Sequence, residues 1–276
     1  MPNEAARADW NGSSGQAWVA DADRRDDVLR PVLDALLDAA SLGPGEGVLD
    51  VGCGCGATSI AAAGAVGSTG SVLGIDLSEP MLDVARRRAT DAGLGHLRFV
   101  VGDAQVDLVP GGHDVAISRF GTMFFDASGD AFANIAAALS TGGRLCMATW
   151  QPLADNPWLV VPAEALLRHG SLPPTDPSAP GMFAQSSAST ITGLLGGAGF
   201  TDVDVQPVTV DLRLGADAAD ATDYLAGMGL SRAVLEPLGP SQRASALAAV
   251  TAALADHADA TGVTLAAGVL VTTASR

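Results

Sequence analysis

A chain of 276 residues, 48% hydrophobic and with a positive mean hydropathy, carries enough apolar side chain for one large domain with insertions. Its formal charge is −16 and all 15 basic side chains are arginine, which excludes the Lys- and Arg-rich surface of a nucleic-acid binder, a Schiff-base lysine and the lysine of a phosphate-binding P-loop. No run approaches the roughly 18–20 consecutive apolar residues of a membrane span, and the opening residues Asn3, Glu4, Arg7 and Asp9 lack a signal-peptide layout, so a soluble cytoplasmic protein is expected.

The first predicted strand is Gly47-Val48-Leu49-Asp50-Val51, an apolar run closed by Gly52. A helix is expected from about Thr58 to Val66, then a strand over Val72–Asp76. Ser78 reads as the N-cap of a helix with Pro80 in its first turn, running to about Ala92 before Gly93. Leu97–Val101 is the third strand and Asp114–Ser118 the fourth. An Ala-rich helix over 129–139 precedes Gly142-Gly143, and Arg144–Trp150 is the fifth strand. Strands and helices alternating at this spacing predict a parallel sheet with right-handed crossovers.

After Trp150 the rhythm breaks. Prolines at 152, 157, 162, 173, 174, 177 and 180 punctuate residues 151–186, with a helix expected from Trp158 to His169. So long a connection reads as a lid or binding segment. A helix over 188–198, a strand over 203–212, a mostly helical excursion over 215–262 and a last strand over 264–273 complete the chain.

Cys53, Cys55 and Cys146 form no Cys-x-x-Cys pair and no disulfide framework. They read as small residues filling tight space, with a redox pair at Cys53 and Cys55 as the alternative. No ligand cluster is present, and no metal is expected.

Gly52-Cys53-Gly54-Cys55-Gly56 lies between a strand and a helix, where glycines let a ligand approach the main chain and the helix amides suit an anionic group. Asp76 ends the next strand, placed to accept both hydrogens of a ribose diol. Asp103, after Gly102 at the end of strand three, is placed to accept from an adenine amino group or to cap a helix. The third glycine comes too early for a dinucleotide Gly-x-Gly-x-x-Gly.

Val48-Leu49-Asp50-Val51-Gly52-Cys53-Gly54-Cys55-Gly56 resembles the first motif of the class I S-adenosylmethionine-dependent methyltransferases. Gly74-Ile75-Asp76-Leu77-Ser78 through Met81-Leu82 resembles the second, Gly102-Asp103-Ala104 the third, and Leu139–Leu145 the entry to the fifth strand. The resemblance covers residues 45–150, the expected cofactor-binding core of a single domain over 1–276. It implies a Rossmann-like α/β fold with seven strands, mostly parallel and the last antiparallel, helices on both faces and helical lid insertions over 151–186 and 215–262.

It also implies methyl transfer from S-adenosylmethionine, with S-adenosylhomocysteine as product. Gly52 and Gly54 then approach the methionine part, with Cys53 between them also counted as cofactor-binding. Asp50 steers the loop or the cofactor's amino group, Asp76 binds the ribose, and Leu77 and Met81 flank the adenine. Asp103 and Ala104 meet its amino edge, and Gly102, Ser118 and Arg119 are further cofactor-binding candidates. Cys55 departs from the pattern, standing where Thr or Ser is frequent. Trp10-Asn11-Gly12 with Trp18 resembles a subgroup whose N-terminal segment, here residues 1–30, folds over the cofactor; a hydrophobic anchor on the sheet edge is the alternative.

Phe120, Met123, Phe124, Trp150, Trp158, Met182 and Phe183 are the candidates for an apolar acceptor pocket. Arg119 is placed to anchor an acidic acceptor, or to pair with Asp103 or Asp126 as support. His169 and His257 are candidate bases, whereas His96 and His113 precede strands at the opposite edge. The sequence therefore points to methylation of a small, partly apolar molecule at oxygen, nitrogen or carbon, in a monomer or homodimer. A nicotinamide-dependent oxidoreductase and a non-methylating binding protein or cyclase on the same fold are the alternatives.

Overall fold

The computed structural model describes residues 3–107, 109–172 and 179–276. Prolines 173, 174 and 177 of the proline-rich stretch lie outside them. Four helices come first: α1 (Glu4–Asn11), α2 (Ser13–Ala20), α3 (Ala22–Val28) and α4 (Arg30–Ala40). Pro31 opens α4, and Val32, Leu33, Leu36 and Ala40 form its buried stripe.

The alternating core follows, with β1 (Gly47–Val51), α5 (Ala57–Val66), β2 (Ser71–Asp76), α6 (Glu79–Asp91), β3 (Leu97–Val101), β4 (His113–Arg119), α7 (Ser128–Ala138) and β5 (Leu139–Trp150). Beyond it come α8 (Pro157–Leu166), α9 (Ala188–Gly197), β6 (Thr201–Gly215), α10 (Ala218–Ala226), α11 (Gly229–Leu235), α12 (Pro240–Ala255), β7 (Ala258–Asp259) and β8 (Gly262–Ser275). Every expected strand is present. Ser78 caps α6 as expected, its hydroxyl accepting from Met81 N with Pro80 in the first turn.

The sheet order is β3-β2-β1-β4-β5-β8-β6. β1 pairs in parallel with β2 and β4, β2 with β3, and β4 with β5. β8 runs antiparallel to β5, from Arg144↔Ser275 to Trp150↔Val269. Seven strands make this path as expected, and the two-residue β7, paired only with β8, brings the sheet to eight. It is held by a local turn in which Asp259 Oδ1 accepts from Thr261 N and Oγ1, at 2.6 Å each.

The chain divides into two compact units. The first comprises residues 1–151, 179–208 and 269–276. In it α5 packs on β1, β2 and β3, α6 on β3, α4 on β4 and β5, and α7 on β5. One apolar core joins Leu49, Ala116, Phe132, Ile135, Leu145, Met147, Ile191 and Leu195. The strand order reverses between β1 and β4, and ligands of open α/β sheets bind outside the carboxyl ends of strands at such a switch.

The second unit comprises residues 152–178 and 209–268. There α8 packs against α11 and α12, and α10 against α11 and α12, burying Trp158, Leu166, Leu225, Val234, Leu235, Val250 and Leu254. Asn156 Oδ1 accepts from Trp158 Nε1 at 3.0 Å and from Gly268 N at 3.1 Å.

Candidate cofactor site

The glycine loop leaves β1 at the switch point. Gly52, Gly54 and Gly56 have φ of 68°, 54° and 85°, in the left-handed region that favours glycine. At Gly52 the reason is also steric. A Cβ there would lie 2.6 Å from Gly121 Cα, so the loops after β1 and β4 touch backbone to backbone. The loop amides of Gly52 and Cys53 donate to Ile75 O at the end of β2, at 2.9 and 3.2 Å.

Asp76 stands at that end, half-buried. Its Oδ2 accepts from Gly54 N and its Oδ1 from Ser78 N, both at 2.8 Å. Burial raises its pKa, opposed by the amide hydrogen bonds from Ser78 and Gly54. Asp76 thereby couples the glycine loop to the start of α6.

Asp50 is fully buried one residue short of the loop. Ser59 Oγ donates to its Oδ2 at 2.5 Å, while Oδ1 has no partner. Burial pushes its pKa up to about 7, opposed by the Ser59 hydrogen bond and by the charge of Arg119. Arg119 ends β4, next to β1 in the sheet. Its Nη2 donates to Asp26 Oδ1 at 3.1 Å, and its Nη1 is buried without a partner. Two unpaired polar atoms of opposite charge therefore belong to adjacent strands at the switch point.

Asp103, also buried, accepts from Asn3 Nδ2 on both oxygens, at 2.8 and 3.0 Å, and from Gln105 N at 2.9 Å. Asn3 further exchanges hydrogen bonds with Asp126, at 2.7 and 2.8 Å. Of the two alternatives for Arg119, pairing with Asp103 or Asp126 is not what the structure shows. Asn3 occupies both carboxylates, and Arg119 turns to Asp26.

Trp10 and Trp18 meet edge to face, with centroids 5.9 Å apart, and pack with Val19 and Val84 on Ala22, Cys55 and Met81. Ser78 Oγ donates to Trp10 O at 2.6 Å, Asn11 Nδ2 to Leu77 O at 2.9 Å, and Glu79 N to Asn11 Oδ1 at 3.1 Å. The tryptophans anchor the N-terminal helices to the glycine loop and α6.

Ser118 Oγ is committed to Val51 O at 2.7 Å. Ala104 is buried beside Asp103. Phe120 holds a φ of 67°, costly for an aromatic residue (about 1–3 kcal/mol), and its ring stacks on Trp150 at 4.1 Å. Phe124 meets Trp10 edge to face at 5.3 Å. Gly181 N donates to Met123 O at 3.1 Å, bringing the chain just before Met182 and Phe183 to the loop after β4. Gln185 fastens it, its Nε2 donating to Thr122 O at 2.7 Å while its Oε1 accepts from Thr122 Oγ1 at 2.8 Å.

Trp158, His169 and His257 belong to the second unit; Trp158 is buried, His169 half-buried and His257 exposed. His96 Nε2 lies 3.0 Å from Ala63 O, and His113 opens β4 at the opposite edge. All three cysteines are free and buried, and burial raises each thiol, Cys55 and Cys146 to about 12 and Cys53 well above its ordinary value. Thiols so protonated do not form the nucleophilic thiolate a redox pair needs. Asn3 and Asp26 were not among the sequence candidates; they are ordinary polar residues whose side-chain partners lie 62 to 123 positions away.

Among the described residues no helix is long and apolar enough to cross a membrane, and no group of three or more His, Cys, Asp or Glu could hold a metal ion.

Comparison with known proteins gives a consistent result. Residues 48–143 match the methyltransferase domain family. Nocamycin O-methyltransferase of Saccharothrix syringae is 31% identical over 249 residues, covering 84% of this chain and 86% of the relative. Aklanonic acid methyltransferase DauC of a Streptomyces species is 36% identical over 120 residues, 43% of this chain and 54% of the relative. Among solved structures, the YcgJ protein of Bacillus subtilis superposes with a TM-score of 0.58 at 17% identity, over 88% of this chain and 97% of that one, a likeness of fold.

Proposed function

The chain belongs to the class I S-adenosylmethionine-dependent methyltransferases, and we propose that it methylates a small, partly apolar acceptor at oxygen, nitrogen or carbon. Relatives named for nocamycin and aklanonic acid support an acceptor of that kind. The family relationship sets aside the nicotinamide alternative.

The observation that most supports our assignment of roles is the unpaired couple Asp50 Oδ1 and Arg119 Nη1. A buried polar atom without a partner costs about 1–3 kcal/mol, more when charged. We assign the cofactor's α-amino acid group to this couple, its ammonium to Asp50 and its carboxylate to Arg119. We assign Asp76 to the ribose hydroxyls, Asp103 and Ala104 to the adenine amino edge, and Leu77 and Met81 to the adenine faces. Gly52, Cys53, Gly54 and Gly102 supply close main-chain approach. Residues 1–30, with Trp10 and Trp18, cover the site.

When bound, the cofactor supplies a methyl group made electrophilic by the sulfonium. The chain's own contribution is positioning, which alone supplies several kcal/mol when reacting atoms are aligned, together with exclusion of water by apolar walls. Phe120, Met123, Phe124 and Trp150 are our candidates for that wall in the first unit, with Met182 and Phe183 brought in by the Gln185 latch. Arg119 is given to the cofactor rather than to acid–base work, and the proposal uses neither His169 nor His257 as a base.

The test is incubation with methyl-labelled S-adenosylmethionine and a panel of phenolic, enolic and amine acceptors. Acceptor-dependent formation of S-adenosylhomocysteine with a methylated product is expected. Failure across acceptors that demonstrably bind would overturn the reading.

A further inference from the structure

Asp26 lies on α3, in the N-terminal segment and more than 20 residues before the first strand's motif. Its side chain is 17% exposed and its two oxygens serve two guanidinium groups. Oδ1 accepts from Arg119 Nη2 at 3.1 Å and Oδ2 from Arg88 Nη1 at 2.9 Å. Arg88, on α6, also pairs with Asp23 and donates to Cys55 O of the glycine loop at 3.0 Å. One carboxylate thus ties α3, α6, the loop and the end of β4 together.

The arrangement matters because of what Arg119 does not do. Asp50 feels its charge, and both have a buried atom without a partner, yet neither closes on the other. Opposite charges on adjacent strands attract, and more strongly where water is excluded. Each is engaged elsewhere: Asp50 Oδ2 by Ser59 Oγ, Arg119 Nη2 by Asp26. A guanidinium is planar and rigid, so fixing one terminal nitrogen orients the other.

We infer that Asp26 is a positioning residue for cofactor binding: it holds Arg119 off Asp50 and keeps open the gap that receives the cofactor's amino-acid group. Without it, Arg119 turns onto Asp50 and the two charges neutralise each other. The inference rests on the assignment of Arg119 and Asp50 to that group. It adds that the N-terminal segment governs the methionine end of the site through a partly buried ion pair.

The test separates the amino-acid end from the rest of the ligand. S-adenosylhomocysteine and 5′-methylthioadenosine share the adenosine and the thioether, but only the first carries the amino-acid group. In calorimetric titrations Asp26→Ala is expected to weaken S-adenosylhomocysteine about tenfold or more, the range for losing a charge-assisted contact, and to leave 5′-methylthioadenosine within about twofold. Asp26→Glu should recover part of the loss, and the isosteric Asp26→Asn should fall between.

Equal weakening of both ligands would reduce Asp26 to a structural tie and overturn the inference, as would unchanged binding of both. Arg119→Leu isolates the underlying assignment. If it too fails to discriminate the two ligands, the assignment of Arg119 falls; if it discriminates while Asp26→Ala does not, only the role of Asp26 falls.

Discussion

Asn3 and Asp103, a hundred residues apart, are joined by two hydrogen bonds from one amide nitrogen to both oxygens of one carboxylate, at 2.8 and 3.0 Å. The amide offers Asp103 the same kind of donor that an adenine amino group would. If Asp103 serves the adenine, Asn3 competes for it. Asn3→Ala should therefore tighten S-adenosylhomocysteine binding about fivefold, the equivalent of one net hydrogen bond of about 1 kcal/mol, while lowering the melting temperature of the free protein. Calorimetry and thermal unfolding check the two signs. Weaker binding in the variant would make Asn3 part of the cofactor cradle instead.

Asp50 gives a pH prediction. Its pKa is about 7 in the folded chain against about 3.9 unfolded. Below about pH 4 both states hold the proton; between about 4 and 7 only the folded state does. This group's contribution to stability is therefore lost as pH rises through that window, and is flat above it. Asp76, raised in the same direction, adds to the slope. Cofactor binding runs the other way. An ammonium needs Asp50 ionised, so S-adenosylhomocysteine affinity should climb by up to about tenfold per pH unit below 7 and then level off. Asp50→Asn should bind weakly with a flattened profile, measured by titration between pH 5.5 and 8.

The backbone contact between Gly52 and Gly121 predicts a contrast among glycines. A Cβ at Gly52 would meet Gly121 Cα at 2.6 Å, and one at Gly121 would meet Val51 O at 2.5 Å. Either alanine substitution should cost about 2–4 kcal/mol, summing strain and displaced backbone. Gly64, exposed inside α5 with nothing within 4 Å of its Cβ position, should gain about 0.5–1 kcal/mol on mutation to alanine. Urea denaturation of the variants reads both directions.

The alternating core was legible because each strand contains an apolar run, the first three closed by glycine or a carboxylate, and because Ser78 with Pro80 marks a helix start by itself. Gly52, Asp76 and Asp103 could be singled out for the same reason: their positions at strand ends follow from local pattern. The N-terminal helices were harder. None of them was expected from the sequence, although α4 carries a buried stripe in Val32, Leu33, Leu36 and Ala40. Asn3 and Asp26 sit in polar segments whose partners are 100 and 93 positions away, and nothing local distinguishes them from solvated residues. The two-residue β7 is too short to leave any periodicity.

Asp76 is where the loop, the second strand and α6 meet, and it gives the most direct check on the cofactor site. The measurement is a calorimetric titration of S-adenosylhomocysteine into the wild type and into Asp76→Asn, which keeps the side chain's size and one acceptor for the amides of Gly54 and Ser78. The account predicts one site in the wild type and binding weaker by about tenfold or more in the variant. No binding by the wild type, or equal affinity in both, would contradict it.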